Sequence, residues 1–99
     1  MQNYALTTWS NDRMVGYEAI VAASAGEAKA FVQGLITERT RDHTSMLARL
    51  GVRYVVEDGF RKIDELTTHS PANAIGTWHI VEDMGATKLI WQPAAHLDG

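Results

Sequence analysis

Residues 78–91, WHIVEDMGATKLIW, decide the fold of this chain because they carry the pattern of an antiparallel hairpin. Residues 78–82 and 87–91 are rich in β-branched and aromatic side chains, which favour strands. Residues 83–86 supply the turn, and Gly85 can adopt the left-handed conformation that hairpin loops often need. We therefore predict two paired strands here.

The register of this hairpin follows from its length. If residue 82 faces residue 87, one face of the sheet carries four large apolar side chains: Trp78, Ile80, Leu89 and Trp91. The other face then carries His79, Val81 and Ile90. Because an antiparallel sheet covered on one side is normally polar on the other, this second apolar face predicts a partner, and another copy of the chain is one candidate.

Strand patterns also occur earlier in the chain. Residues 4–9 and 15–22 alternate around the turn-forming residues 10–13, which predicts a first hairpin. Residues 52–57 predict a further strand, followed by Asp58-Gly59, a strong turn signal. Residues 60–66 are expected to form the returning strand, with a helical turn as the alternative, since residues 60, 63 and 66 are apolar.

The clearest helix signal begins at Ser24, which with Glu27 forms a capping-box pattern. An apolar stripe with helical spacing follows: Ala28, Phe31, Val32, Leu35 and Ile36. The apolar pattern continues to Leu50 before Gly51, a candidate cap. We expect a break at residues 40–44, where threonine and aspartate lower helix propensity. One unbroken helix is the alternative.

The predicted order is β-β-α-(α)-β-(β)-β-β, which indicates an α+β fold with a mostly antiparallel sheet and helix packed on one face. The length of 99 residues is that of one domain, 1–99. Residues 94–99 are expected to form a frayed tail. β-grasp, ferredoxin-like and ferredoxin-derived barrel arrangements all fit this order.

Composition excludes several classes of protein. The absence of cysteine excludes a disulfide scaffold and a thiolate metal site. No apolar run approaches the roughly 20 residues of a membrane span, and the first residues lack the pattern of a signal peptide. We therefore expect a cytoplasmic protein. The net charge of −3 argues against non-specific binding of nucleic acid.

A search for reactive motifs finds none. The sequence contains no G-x-S-x-G, no Gly-rich phosphate loop and no H-E-x-x-H. The four histidines, His43, His69, His79 and His96, are too far apart in sequence to form a local metal motif. We accordingly predict no catalytic residue, no metal and no cofactor.

Charge is unevenly distributed along the chain. Residues 38–62 carry a net charge of +2 and residues 63–99 a net charge of −4. Such polarity can steer association with a complementary partner. A specific nucleic-acid site built from arginines is a weaker hypothesis, and its candidate residues are Arg39, Arg41, Arg49 and Arg53.

The first hairpin together with residues 22–31, AASAGEAKAF, resembles a ββα opening found in many small prokaryotic and phage proteins of unrelated function. Small, cysteine-free, mildly acidic proteins without catalytic motifs are also common among phage accessory proteins. Together with the charge polarity and the two-sided hairpin, this likeness predicts a non-catalytic interaction protein, for example a phage or mobile-element inhibitor of host defence of the anti-CRISPR kind. Acidic side chains could then imitate phosphates. The predicted partner-binding residues are Trp78, His79, Val81, Glu82, Asp83, Ile90, Trp91, Asp64 and Glu65.

The alternative hypothesis is a small homo-oligomeric enzyme or ligand-binding protein of ferredoxin-like type. It requires a cavity of a few hundred Å³ between sheet and helices. Its candidate polar groups are Tyr17, His43, Tyr54 and His79.

Overall fold

A five-stranded antiparallel sheet forms the centre of the protein. The computed structural model describes residues 1–62, 71 and 73–94. The strands are β1 (Gln2–Ser10), β2 (Arg13–Ala22), β3 (Val52–Asp58), β4 (Ala74–Asp83) and β5 (Ala86–Pro93). Their order across the sheet is β2-β1-β3-β4-β5, and every pairing is antiparallel. The expected α+β fold with helix on one face is confirmed.

The sheet order explains where the helices lie. Strands β2 and β3 both run antiparallel to β1, so they run parallel to each other on its two sides. Parallel strands need a long crossover connection, usually a helix. Helices α1 (Ala25–Arg39) and α2 (Thr44–Arg49) lie in that connection. The chain thus begins with two strands before its first helix, unlike the β-α-β-β-α-β order of ferredoxin-like domains.

Helix α1 begins where the sequence predicts. The Ser24 side chain accepts a hydrogen bond from the backbone N–H of Glu27 at 3.2 Å. The helix ends at Arg39, and the Thr40 hydroxyl donates to the carbonyl oxygen of Ile36 at 2.6 Å. The predicted break is therefore confirmed. An unbroken helix over residues 25–50 would be about 39 Å long, whereas the largest dimension of the molecule is 37 Å.

The main core lies between the helices and the sheet. Its buried residues come from α1 and from the first four strands: Tyr4, Leu6, Ile20, Ala22, Ala28, Val32, Ile36, Val56 and Trp78. Phe31, expected in the apolar stripe of α1, is instead 52% exposed.

The chain does not form the strand expected at the start of residues 60–66. Strand β3 ends at Asp58, Gly59 has a positive φ of 83°, and residues 60–62 are not in a strand. Residues 63–66, like residues 95–99 of the expected tail, lie outside the described residues. The edge of β3 that a hairpin would have used pairs with β4 instead.

A second buried layer occupies the centre of the outer face, the face opposite the helices. Glu57 and Arg61 form a two-point ion pair, with Nε–Oε1 and Nη2–Oε2 distances of 2.8 Å. The Thr7 hydroxyl donates to Glu57 at 2.8 Å, and the Trp9 indole donates to Thr7 at 2.9 Å. Both charged side chains are only 2% exposed. The ion pair therefore holds the segment that follows β3 against the outer face of the sheet, where residue 61 does not continue into a hairpin strand.

Candidate functional site

The β4–β5 hairpin has the register predicted from its sequence. Glu82 pairs with Thr87, Ile80 with Leu89 and Trp78 with Trp91. Strand alternation therefore places His79, Val81 and Ile90 together on the outer face, with His79 directly opposite Ile90. Ile90 is 42% exposed, and His79 and Val81 are partly exposed.

His79 is held in place on this face. Its Nε2 atom lies 2.8 Å from the Oε1 atom of Gln92, the neighbouring strand's side chain. The imidazole therefore has a fixed orientation beside Ile90 and contacts no second titratable partner in the hydrogen bonds of the described residues.

The tip of the hairpin exposes a residue that the sequence analysis did not select. Met84 and Gly85 both have positive φ, 52° and 83°, as in a type I′ turn. Asparagine, aspartate and glycine are preferred at the first of these two positions. Met84 is 100% exposed. The sequence has Met-Gly at this turn, where Asn-Gly is usual, and this departure could have identified Met84 as unusual. We define the hairpin surface as His79, Val81, Met84 and Ile90.

The acidic residues expected to bind a partner are only partly assembled. Glu82 and Asp83 are exposed and directly precede Met84. Lys88 lies 3.7 Å from Asp83, which offsets one of the two charges. Asp64 and Glu65 lie outside the described residues.

The two tryptophans of the predicted site face the helices. Trp78 is 5% exposed, and its indole N–H donates to the carbonyl oxygen of Lys29 in α1 at 3.1 Å. Its ring centroid lies 5.2 Å from that of Trp91. The Lys29 ammonium lies over both rings, at 5.7 and 5.1 Å from their centroids. The pair thus anchors α1 to the hairpin, and Trp78 is not accessible to a partner.

The four arginines of the nucleic-acid hypothesis each have a partner within the protein. Arg39 forms an ion pair with Glu18, Arg41 one with Glu38, and the guanidinium of Arg53 lies over the ring of Trp9 at 5.5 Å. The fourth arginine, Arg49, donates from Nε to the carbonyl oxygen of Ser45 at 3.3 Å.

A cavity of about 390 Å³ lies between the helices and the hairpin. We call it the helix–hairpin cavity. Nine residues line it: Gln33, Thr37, Thr40, Arg41, Thr44, Ile80, Thr87, Lys88 and Leu89. The threonine hydroxyls of Thr44 and Thr87 are joined by a hydrogen bond of 2.9 Å across its two walls.

The polar groups expected in such a cavity lie elsewhere. Tyr17 accepts a hydrogen bond from the backbone N–H of Arg61 on the outer face. Tyr54 packs against the main core, and burial raises the pKa of its phenol, although the charge of Arg39 acts in the opposite direction. His43 precedes α2 without a side-chain cap hydrogen bond. Three of the threonines that line the cavity, Thr37, Thr40 and Thr44, were missed because their spacing resembles a solvated helix face.

Metal-ligating side chains do not cluster in the described part of the chain, where no group of three or more histidine or acidic residues could hold an ion. His69 and His96 lie outside that part. Within residues 1–62, 71 and 73–94, no helix is long and apolar enough to cross a membrane.

Comparison with protein-family models, curated proteins and solved structures finds no match to this chain. Functional inference therefore rests on the hairpin surface and the helix–hairpin cavity.

Proposed function

We propose that this protein acts without catalysis, by binding a protein partner through the hairpin surface. The observation that carries this proposal is Met84, a large apolar side chain that is fully exposed at the tip of a tight turn. Methionine is common at surfaces that recognise partners, because its flexible side chain adapts to the apolar surface it meets.

Folding alone gives no reason for methionine at this position. A residue with positive φ is uncommon unless it is glycine, asparagine or aspartate, and Met84 has a φ of 52°. A fully exposed side chain gains nothing from burial. A partner that covers Met84 would supply the missing stabilisation.

The neighbouring outer face extends the same surface. Ile90 and Val81 add apolar area, and His79 adds a polar group whose orientation is fixed by Gln92. An apolar centre with a few polar groups at its edge is the usual composition of a recognition site between proteins.

A more specific form of this proposal is an inhibitor that occupies a nucleic-acid site of its partner, as some proteins of phages and mobile elements do. Its support is the exposed pair Glu82 and Asp83 beside Met84, since carboxylates can replace phosphates opposite basic side chains. Reversing both charges, E82K with D83K, should abolish partner binding in this form. Unchanged binding would rule out phosphate imitation, and binding through the apolar hairpin surface would remain as the proposal.

The test compares two methionine variants of the tagged full-length chain in its host. Met84→Asn should reduce cross-linking to the partner by about tenfold or more, as expected for a residue at the centre of an interface. The same change should not lower the thermal stability, because asparagine suits positive φ. Ile90→Asp should have a similar effect on cross-linking.

Met46→Asn is the matched control, because Met46 is 48% exposed in α2 and lies outside the hairpin surface. It should leave cross-linking unchanged. Equal recovery of the partner by the Met84 and Met46 variants would overturn the proposal. The molar mass of the purified chain, measured by light scattering, shows whether the partner is a second copy of this chain or another protein. A second copy would give a dimer that Met84→Asn dissociates.

A second candidate function is the binding of a small molecule. Its support is the helix–hairpin cavity, whose volume of about 390 Å³ lies within the range of small-molecule sites. The cavity and the hairpin surface lie on opposite faces of the sheet, so the two functions are compatible. Saturation-transfer NMR with a library of small organic compounds tests this function, and a lack of any binding compound would contradict it.

A further inference from the structure

We propose that the protein forms a symmetric dimer in which β2 pairs antiparallel with β2 of a second copy, about a two-fold axis at Ala19. The surface that makes this contact is one edge of the sheet. We call it the β2 edge and define it as Tyr17, Ala19 and Val21. The inference goes beyond the partner binding proposed above and does not depend on the hairpin surface.

The backbone hydrogen bonds of β1 show which residues of β2 face the edge of the sheet. The N–H of Gly59 donates to the carbonyl oxygen of Asn3 at 2.8 Å, so the backbone groups of Asn3 point toward β3. Along a strand these groups point alternately to its two sides, and Tyr4 pairs with Ile20. The even-numbered residues of β1 therefore bond to the even-numbered residues of β2 between 16 and 22. The N–H and C=O groups of the β2 edge consequently point away from β1.

The β2 edge is open to another strand. β2 is the outermost strand in the order β2-β1-β3-β4-β5, and within residues 1–62, 71 and 73–94 no strand lies beyond it. Ala19 is exposed, and Val21 is 54% exposed. Outward-pointing backbone groups along an edge strand are a template for pairing with a further strand.

The two edges of the sheet differ in their protection against such pairing. β5 contains Lys88 and ends at Pro93, and both residue types hinder the addition of a strand. Residues 16–22 of β2, GYEAIVA, contain neither lysine nor proline. The charge of Glu18 in this segment is matched by an ion pair with Arg39 of the same copy. The absence of these protective residues from β2 favours pairing at this edge.

The β2 edge is complementary to itself when two copies run antiparallel. With Ala19 opposite Ala19 of the second copy, Tyr17 lies opposite Val21 of the second copy, and the reverse pair forms across the axis. Each facing pair exchanges two hydrogen bonds, which gives about six between the copies. An aromatic side chain opposite a β-branched one is a favourable cross-strand pair, and it would cover the exposed Val21.

The neighbouring symmetric registers are less favourable. An axis at Glu18 would place two carboxylates directly opposite each other, and like charges in this position are destabilising. An axis at Ile20 would place Tyr17 opposite residue 23, beyond the end of β2 at Ala22. The sequence of the strand thus favours Ala19 as the axis. An unrelated strand would need to supply the same match, whereas a second copy always has it.

The molar mass of the full chain, measured by light scattering at concentrations up to about 1 mM, tests for the dimer. We expect the mass to approach twice that of one chain. Ala19→Pro should remain a monomer, because proline removes an N–H at the axis. The variant should fold, since that N–H points away from β1 and proline is tolerated in edge strands.

A lysine substitution tests the same contact without changing the backbone. Val21→Lys should weaken the dimer by about tenfold or more, because a charged side chain would replace the apolar partner of Tyr17. Val15→Lys is the matched control, because Val15 is 59% exposed in the same strand but lies at the irregularity before the paired segment. It should leave the molar mass unchanged. The amide spectrum of each variant reports whether it folds.

Single cysteines test the register, because the native chain has none. Ala19→Cys should form a disulfide between two copies under mild oxidation, since facing Cα atoms in a hydrogen-bonded pair are about 5.5 Å apart. Val15→Cys should react much more slowly, because residue 15 does not face itself across the axis.

Four results would overturn the inference. They are a monomer at every concentration, a dimer that persists in both Ala19→Pro and Val21→Lys, a dimer that Val15→Lys weakens as much as Val21→Lys, and equal disulfide formation by the two cysteine variants. A dimer that Met84→Asn dissociates while the β2 variants retain it would assign self-association to the hairpin surface instead. A monomer would leave partner binding through the hairpin surface as proposed, so the two proposals can fail separately.

Discussion

The indole of Trp91 occupies the space that a side chain at Gly76 would need. A Cβ atom built on Gly76 would lie 2.2 Å from Cζ2 of Trp91. Gly76 is in β4, opposite Val56 on one side and Pro93 on the other. The tryptophan ring therefore packs directly on the backbone of the neighbouring strand, where it also contacts Trp78 and lies beneath Lys29.

Gly76→Ala should destabilise the protein by about 1–3 kcal/mol, because the methyl group would displace the Trp91 ring. Urea unfolding measures the change. In a Trp91→Ala background the same change should cost much less, since the overlap is gone. Additive effects of the two substitutions would contradict this account.

Gly34→Ala is the matched control for that experiment. A Cβ at Gly34 meets no atom within 4 Å, and the residue is exposed in α1. Alanine favours helix over glycine, so we expect a gain of about 0.5–1 kcal/mol.

The ion pair of the outer face should be essential for stability. Glu57→Gln removes the buried carboxylate that forms a two-point ion pair with the Arg61 guanidinium, which we expect to cost about 3 kcal/mol or more. Glu38→Gln breaks an exposed pair with Arg41 and should cost less than about 1 kcal/mol. Denaturant unfolding of both variants provides the comparison. Similar denaturant midpoints for the two variants would show that the buried ion pair contributes no more to stability than the exposed one.

Acid should weaken the contact between α1 and β2. The hydrogen bond and charge of Arg39 lower the pKa of the Glu18 carboxyl, against a smaller opposing effect of burial. A carboxyl with a lowered pKa in the folded state stabilises the protein above its unfolded pKa. That contribution is lost as pH falls below about 4.3.

Its size should be below about 1 kcal/mol, because the Arg39 and Glu18 side chains are 53% and 43% exposed. NMR titration of the Glu18 carboxyl in the native chain and in Arg39→Gln checks the prediction. The pKa should rise in the variant. An identical pKa in both proteins would exclude Arg39 as its cause.

Local patterns predicted most of the elements because their physical causes are local. The capping residue Ser24 and the register of the β4–β5 hairpin depend only on neighbouring residues and on a short turn. The break after Arg39 followed from weak helix formers and from the size of the domain. The sheet order was not predictable in this way, since it depends on pairing between strands far apart in sequence.

Phe60 and Met84 show where sequence reasoning fails. Asp58-Gly59 before an apolar residue is a good hairpin signal, but the ion pair of Glu57 with Arg61 and the pairing of β3 with β4 override it. Met84 was passed over because a turn residue is expected to be solvent-facing whatever its type. The helix–hairpin cavity combines residues from four elements, and no single segment reveals it.

Glu57 also distinguishes between alternative alignments of β3. Val55 and Val56 are both fully buried, one on each face, so a shift by one position against β1 would still place valine on both faces. The same shift would turn the Glu57 carboxylate into the apolar layer under α1, away from Arg61. An unpaired charge there is costly. We therefore expect Glu57 to favour the native register of β3 during folding, because a shifted register would bury its charge without a partner.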